Sequence, residues 1–299
     1  MRFYLPLFVL RAISLHLVEC LDLPTPSRVV EFRIELPFTV EQLEIGRRYT
    51  TIMMSKLETG GGEGVEIIIN EPRQGPIPGE TSGAVIESRY THKVIYLASK
   101  VPSVIQRLAP TGSLEVHEIS WNAFSYTRTY LSNHYMKEAF YFDIETQHLA
   151  GGADRENVHQ LDEQNLAKRQ VIKLDLSRVP SSDYNLDTDP ESCLMEKGSL
   201  SLKEGVWVNL DEDSTSVPLS TVYSLQRLTF QWWGLQAKVE SMIVKAQTRL
   251  LTKYYRMLVC SSDDWLDLTM DDIEKLETEA KNELDQLRNS DTVRGITIS

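Results

Sequence analysis

The chain has 299 residues and a net charge of −12, from 31 Lys and Arg against 43 Asp and Glu, with 41% apolar residues. That length allows one large domain or two small ones, and that apolar fraction supports a substantial core. No Lys/Arg-rich run is present, which argues against a nucleic-acid partner, and the acidity opposes lasting attachment to anionic membrane surfaces.

The first residues stand apart. Phe3 to Leu10 is apolar behind Arg2, and Ala12 to Val18 is mostly apolar, as in a secretory signal. Arg11 interrupts the run, no small-x-small cleavage site follows cleanly, and the stretch is too short for a transmembrane helix. Residues 1–28 read as a signal, an appended arm or an upstream start outside the fold, with the last two favoured, and residues 29–299 as the folded domain. Val30 to Leu36 alternates like a short strand closed by Pro37. Thr39 with Gln42 makes a capping box, which predicts a helix from Val40 to Lys56. Thr59-Gly-Gly-Gly-Glu-Gly is a turn, Val65 to Ile69 an apolar strand, and the Pro- and Gly-rich residues 72–83 a long loop.

A strand-rich middle follows: Tyr90 to Leu97, Ser113 to Phe124, Tyr126 to Leu131, Ala139 to His148, Arg169 to Leu176 and Val222 to Trp232. Between the last two, residues 177–220 form a polar, partly ordered excursion. The C-terminal third is helical. Leu235, Val239, Met242, Ala246 and Leu250 keep a three-to-four spacing, and a second helix starts at the cap Thr269 with the stripe Ile273, Leu276, Ala280, Leu284 and Leu287. The order predicts an α+β fold, an antiparallel sheet with helices at its ends and across it.

Enzyme signatures are mostly absent. The glycine run lacks the Gly-Lys-Ser/Thr ending of a phosphate loop and lies between helix and strand, and there is no Gly-x-Ser-x-Gly elbow. The histidines show no metal-ligand spacing, so no metal or cofactor is expected. Cys20, Cys193 and Cys260 are odd in number and far apart, which predicts free thiols and a reducing, cytoplasmic setting.

Two patterns remain. Trp232 and Trp233 are adjacent where a strand gives way to Gly234 and a helix. Neighbouring strand side chains point to opposite faces, so at least one indole belongs at a rim, either as a half-covered core residue or at a membrane interface. The second pattern is polar residues on apolar faces. Thr91 and Lys93 share parity with Ile95 and Leu97; Asn122 with Leu114, Val116 and Phe124; Thr146 with Phe140, Phe142 and Ile144; and Glu277 falls inside the last helix's stripe. Buried polar groups are costly unless partnered, so together these predict an apolar cavity with a small polar end, the anatomy of a small-molecule site.

The chain resembles the class I phosphatidylinositol transfer proteins from about Val29 to its C-terminus. The resemblance is carried by Thr59-Gly-Gly-Gly-Glu-Gly-Val-Glu66, Asn70-Glu71-Pro72, Tyr90-Thr91-His92-Lys93, Ser99-Lys100-Val101-Pro102, Trp121-Asn122-Ala123, Tyr135-Met136-Lys137-Glu138, Glu156-Asn157-Val158-His159, Trp232-Trp233-Gly234-Leu235-Gln236 and the Asp-Leu-Thr-Met-Asp-Asp run after Trp265. It implies a START-like helix-grip fold, in which a curved antiparallel sheet and long helices enclose one phospholipid. The implied activity is non-enzymatic transfer of phosphatidylinositol, usually in exchange for phosphatidylcholine, by a monomer that touches membranes transiently. The alternative is a lipid sensor that presents phosphatidylinositol to a kinase or effector. The inositol residues of the family match Thr91, Lys93, Asn122 and Glu277; two phosphate contacts match Thr129 and Thr146; the membrane-docking pair matches Trp232 and Trp233. There are departures. Arg47 and Ser224 stand where animal members usually have Gln and Lys near the phosphate, so Arg47 is expected to supply the phosphate's cation. Thr127 replaces a Cys linked to phosphatidylcholine handling, Met195 replaces a regulatory Ser, and the loop at 73–90 is longer than in animal members.

Overall fold

A computed structural model describes residues 25–80, 84–97, 101, 103–110, 112–193, 200–209, 217–290, 292 and 294. Most of the 1–28 segment, Met195 and part of the Ser99–Pro102 motif lie outside the described residues.

The strands are β1 (Arg28–Leu36), β2 (Gly64–Gly75), β3 (Ile86–Tyr96), β4 (Glu115–Ala123), β5 (Tyr126–Ser132), β6 (Phe140–Ala150), β7 (Gln170–Lys173), β8 (Leu200–Lys203), β9 (Val206–Asn209) and β10 (Ser220–Phe230). The helices are α1 (Val40–Glu58), α2 (Ser103–Leu108), α3 (Glu163–Lys168), α4 (Gln236–Cys260), α5 (Ser262–Trp265) and α6 (Met270–Arg288). Eight strands form one large curved sheet in the order β2-β3-β4-β5-β6-β10-β1-β7, and β8 and β9 form a separate hairpin. The fold is α+β, as expected, with one difference: β7 pairs parallel to β1 at the sheet's edge. The strand expected at 169–176 shortens to Gln170–Lys173, whereas β2 runs on through Pro72 to Gly75. β2 is an edge strand, where proline costs no ladder bond.

Local signals set the helix ends. Thr39 and Gln42 exchange the two capping bonds that open α1, and Thr269 and Asp272 do the same for α6. α1 stops at Thr59, whose hydroxyl donates to Ser55 O and accepts from Val65 N. Gly64, at φ +104°, allows that turn, since a Cβ there would lie 2.4 Å from Thr59 Cα. α1 and the α4–α5 corner approach closely at Gly46, where a Cβ would meet the Trp265 ring at 2.9 Å. Trp265 is fully buried, stacks edge-on against Phe38 and donates its indole N–H to Leu258 O. Phe32, Ile34, Leu36, Leu43, Val222, Leu258 and Val259 complete this core between the inner sheet face and the helices.

The outer face is also covered. Arg128 and Arg227 both bridge Asp143 and Glu145, tying β5, β6 and β10 together. Burial opposes ionisation of Glu145, but the His159 bond and the two arginines win and hold its pKa down at about 2. The loop after β2 folds over this face: Ile77 packs with Tyr90, Trp121, Tyr130 and Tyr141, and Tyr130 donates to Pro78 O.

Cys193 and Cys260 are joined by a disulfide, with Cα atoms 5.5 Å apart. The expectation of free thiols at these two positions is thereby corrected; Cys20 lies outside the described residues. The excursion docks along α4, Asp183 pairing with Arg249 and Asp189 with Arg256, which carries Cys193 to the end of α4. A sequence separation of 67 hides that approach from spacing arguments.

His92, His117 and His134 cluster on the outer face. His92 Nε2 and His117 Nδ1 are 3.1 Å apart, and the His117 and His134 rings stack at 3.9 Å. Burial first, then its two neighbours, pushes His117 down to about 4. Its folded pKa lies below the unfolded value of about 6.5, so the unfolded chain takes up the proton first and stability falls as pH drops through that window. His92 and His148 are lowered too and act with the same sign. The melting temperature is expected to fall between about pH 7 and about pH 5, and less so in His117→Gln. An equal fall in both proteins would place the effect elsewhere.

Candidate functional site

Between the inner sheet face and helices α1, α4 and α6 lies a cavity of about 690 Å³, lined mainly by apolar side chains. Strand register grades its floor. One row across β3, β4, β5, β6 and β10 reads Arg89, Asn122, Thr127, Thr146 and Ser224. The next reads Thr91, Ser120, Thr129, Ile144 and Gln226, and the third Lys93, Glu118, Leu131, Phe142 and Leu228. Polar groups therefore gather at one end of the floor, and Ile95, Val116, Leu131 and Phe142 carry it on as hydrocarbon.

Of the residues expected at the site, Thr91, Lys93, Asn122, Glu277, Arg47, Thr129 and Thr146 all line this one cavity. Lys93 donates to Glu118 at 3.0 Å. Burial penalises that ammonium, but the Glu118 carboxylate outweighs it and the Lys93 pKa rises, so Lys93 stays charged. Asn122 Oδ1 accepts from the Thr127 hydroxyl at 3.0 Å and from Arg47 Nη2 at 3.3 Å. Ser120 and Thr129 share a 2.9 Å bond, and Thr146 donates to Ser224 at 3.3 Å. These are three separate hydrogen-bonded groups on the floor, and the hydroxyls of Ser120, Thr127, Thr129 and Thr146 that line the cavity keep hydrogen-bonding capacity for a ligand.

Arg47 and Arg48 follow one another on α1 but serve different stations. Arg47 reaches Asn122, Thr127 and His148. His148 Nδ1 lies 3.1 Å from Ser125 O and so carries the ring proton, which leaves Nε2 to accept from Arg47 Nη1 at 3.2 Å. Burial, then the Arg47 charge, pushes the His148 pKa well down, so it is a neutral acceptor. Tyr254 from α4 donates to Arg47 O and fixes that turn of α1. Arg48 Nε donates to Glu277 Oε1 at 2.7 Å, while Asn70 and Arg89 approach Glu277 Oε2 at 3.2 and 3.4 Å.

Arg48, Arg89, Asn70, Glu118 and His148 were not among the expected residues. Arg89 shares the parity of Thr91 and Lys93, but the alternation in the sequence begins one residue later, at Tyr90, whereas β3 begins at Ile86. Glu118 and Ser120 share the parity of Asn122. Asn70 was hidden by the register shift between Ile67 and Ile69, which breaks alternation along β2.

The strand expected to reach Trp232 ends at Phe230, and Trp232 and Trp233 separate in the turn that follows β10. Trp232 lines the cavity beside Phe230, Leu235, Tyr135 and Met136, stacked on Phe230. Trp233 is 98% exposed, and Tyr135, which lines the cavity, is exposed as well. Gly234, at φ +74°, turns the chain from β10 into α4. No helix among the described residues is long and apolar enough to cross a membrane.

Residues 27–282 match the family model described as "Phosphatidylinositol transfer protein". The chain is 40% identical over 273 residues to the human "Phosphatidylinositol transfer protein beta isoform", covering 89% of this chain and 97% of that one. It is 35% identical over 258 residues to "Phosphatidylinositol transfer protein 1" of Dictyostelium discoideum, covering 85% and 93%. With the mouse "Membrane-associated phosphatidylinositol transfer protein 1" it shares 32% identity over 262 residues, 86% of this chain but 20% of that longer protein. On the extent of these matches, the chain belongs to the phosphatidylinositol transfer protein family.

Proposed function

We propose that this protein encloses one phosphatidylinositol molecule and exchanges it between membranes, with phosphatidylcholine as the counter-ligand. The observation that carries this reading is the graded cavity, with hydrocarbon along most of its length and a charged, hydroxyl-rich end. A diacyl lipid has about 30 methylenes at ~0.8 kcal/mol each, so exposing its chains to water would cost roughly 25 kcal/mol. A carrier must therefore shield the chains and open only at a bilayer. Thr91, Lys93, Asn122 and Glu277 offer both donors and acceptors to an inositol ring, and Arg47, Thr129 and Thr146 suit the phosphodiester. Exposed Trp233, next in sequence to the cavity-lining Trp232, suits docking at a headgroup region. In this reading residues 29–299 act as a helix-grip, START-like domain, a monomer working at cytoplasmic membrane faces without catalysis. A presenter would need a partner surface, for which the acidic side chains of the 177–220 excursion are the candidate. Asp183 and Asp189 are instead engaged by Arg249 and Arg256, which favours the carrier.

Mass spectrometry of the purified protein is expected to find an inositol phospholipid, and vesicle assays without any partner are expected to record its transfer. A preparation free of inositol lipid that also transfers none would overturn the reading.

A further inference from the structure

The cavity's polar end carries more positive charge than a phosphodiester needs. Arg47, Arg48, Arg89 and Lys93 line it, against the carboxylates Glu118 and Glu277; Glu58, also lining the cavity, pairs with Lys253. Lys93 and Glu118 cancel as a pair at 3.0 Å. Arg47 has no carboxylate within ion-pair distance among the described residues, and its acceptors are the neutral His148, Asn122 and Thr127. Arg48 and Arg89 share the single carboxylate Glu277 inside the cavity. Glu274 reaches Arg89 only from the exposed rim, at 3.5 Å, where an ion pair is screened by solvent. Arg48 Nη2 is moreover buried without a hydrogen-bond partner.

Two surplus positive charges therefore stand apart. One sits at Arg47, over β4 and β5; the other at Arg48 and Arg89, over β2 and β3. Neighbouring strands are about 4.8 Å apart, which puts the two stations roughly 10 Å from each other. A lone buried cation is costly, and a monoanionic diester could neutralise only one station. A ligand with two anionic groups separated by a ring would meet both. Arg48 and Arg89 also present guanidinium forks, suited to the several oxygens of a phosphate monoester.

We propose that the cavity accepts inositol phospholipids bearing a phosphate monoester on the ring, that phosphate lying against Arg48 and Arg89 while the diester lies against Arg47. This rests on the reading of the cavity as a phosphatidylinositol site. The test is displacement of a fluorescent phosphatidylinositol from the intact protein by phosphatidylcholine vesicles. The vesicles carry phosphatidylinositol, phosphatidylinositol 4-phosphate or phosphatidic acid. The 4-phosphate is expected to displace the probe at least as well as phosphatidylinositol. Arg48→Leu is expected to weaken the 4-phosphate by at least about tenfold more than phosphatidylinositol, the loss of a charge-assisted bond. Arg47→Ala should weaken both alike. Leucine keeps helix propensity, and Glu277 retains Arg89 and Asn70, so the fold should persist, as its melting temperature will report. If phosphatidylinositol loads and the 4-phosphate does not, this inference falls while the carrier reading stands. Equal losses for both inositol lipids in Arg48→Leu would reduce Arg48 to a prop for Glu277 and overturn it. Phosphatidic acid losing as much as the 4-phosphate would assign the surplus to a terminal phosphate. If no probe binds at all, both readings fall together.

Discussion

Glu277→Lys is expected to abolish phosphatidylinositol transfer while phosphatidylcholine transfer continues. The wild-type carboxylate holds Arg48, Asn70 and Arg89 in one cluster on the cavity wall. A lysine there would remove the ring's acceptor and set a third cation against two guanidiniums whose only cavity carboxylate has gone. The inositol hydroxyls would lose their partners in a dry site, whereas a choline head group makes no such demand. The loss should be at least about 100-fold, a few kcal/mol of unmet hydrogen bonding. Lys93→Ala should act in the same direction from the other wall, by leaving Glu118 unpaired. Parallel assays with vesicles labelled in each lipid measure the selectivity. Equal loss of both lipids would mean that position 277 holds the fold and not the head group.

The double substitution Trp232→Ala/Trp233→Ala should separate holding a lipid from delivering it. Trp233 is 98% exposed and can lose its indole with little effect on packing. Trp232 stacks on Phe230 at the cavity edge, so its loss opens the rim but leaves the inositol end untouched. Purified double variant is expected to retain bound phospholipid and to melt within a few degrees of the parent. Its transfer should fall by at least about tenfold through lost partition into the headgroup region. Empty or unfolded protein would show that the pair belongs to the core, and unchanged transfer would move the docking surface elsewhere.

Much of this arrangement was legible from the residues. Both capping boxes announced their helices, because two residues three positions apart suffice to exchange two bonds. Parity placed Thr91, Lys93 and Asn122 on one face, and the structure gathers them in one cavity. The limits are equally physical. Alternation says which face a strand residue takes but not which residue stands opposite, so the Lys93–Glu118 pairing waited for the β3–β4 register. The Arg48–Glu277 bond joins helices 229 residues apart in sequence and has no local signature. Arg89 escaped for a smaller reason, a strand start misjudged at Tyr90 when β3 begins at Ile86. The parallel β7 depends on where the connection after β6 returns, and the covalent link at Cys193 on where the excursion docks, neither of which composition encodes.

That link has a consequence outside lipid chemistry. The loop it closes contains the β8–β9 hairpin, β10, the tryptophan pair and all of α4 up to Cys260. Closing a loop of that length removes roughly 4 kcal/mol of freedom from the unfolded chain, a large share of the ~5–15 kcal/mol that separates a typical folded domain from its unfolded state. Neither cysteine lines the cavity, so ligand choice is insulated from the bond. How long the protein survives is not. Wherever the bond is reduced, the protein gives up that margin and meets proteases more often; where it stays oxidised it keeps it. The disulfide thus bears on the lifetime of the chain and not on its choice of cargo.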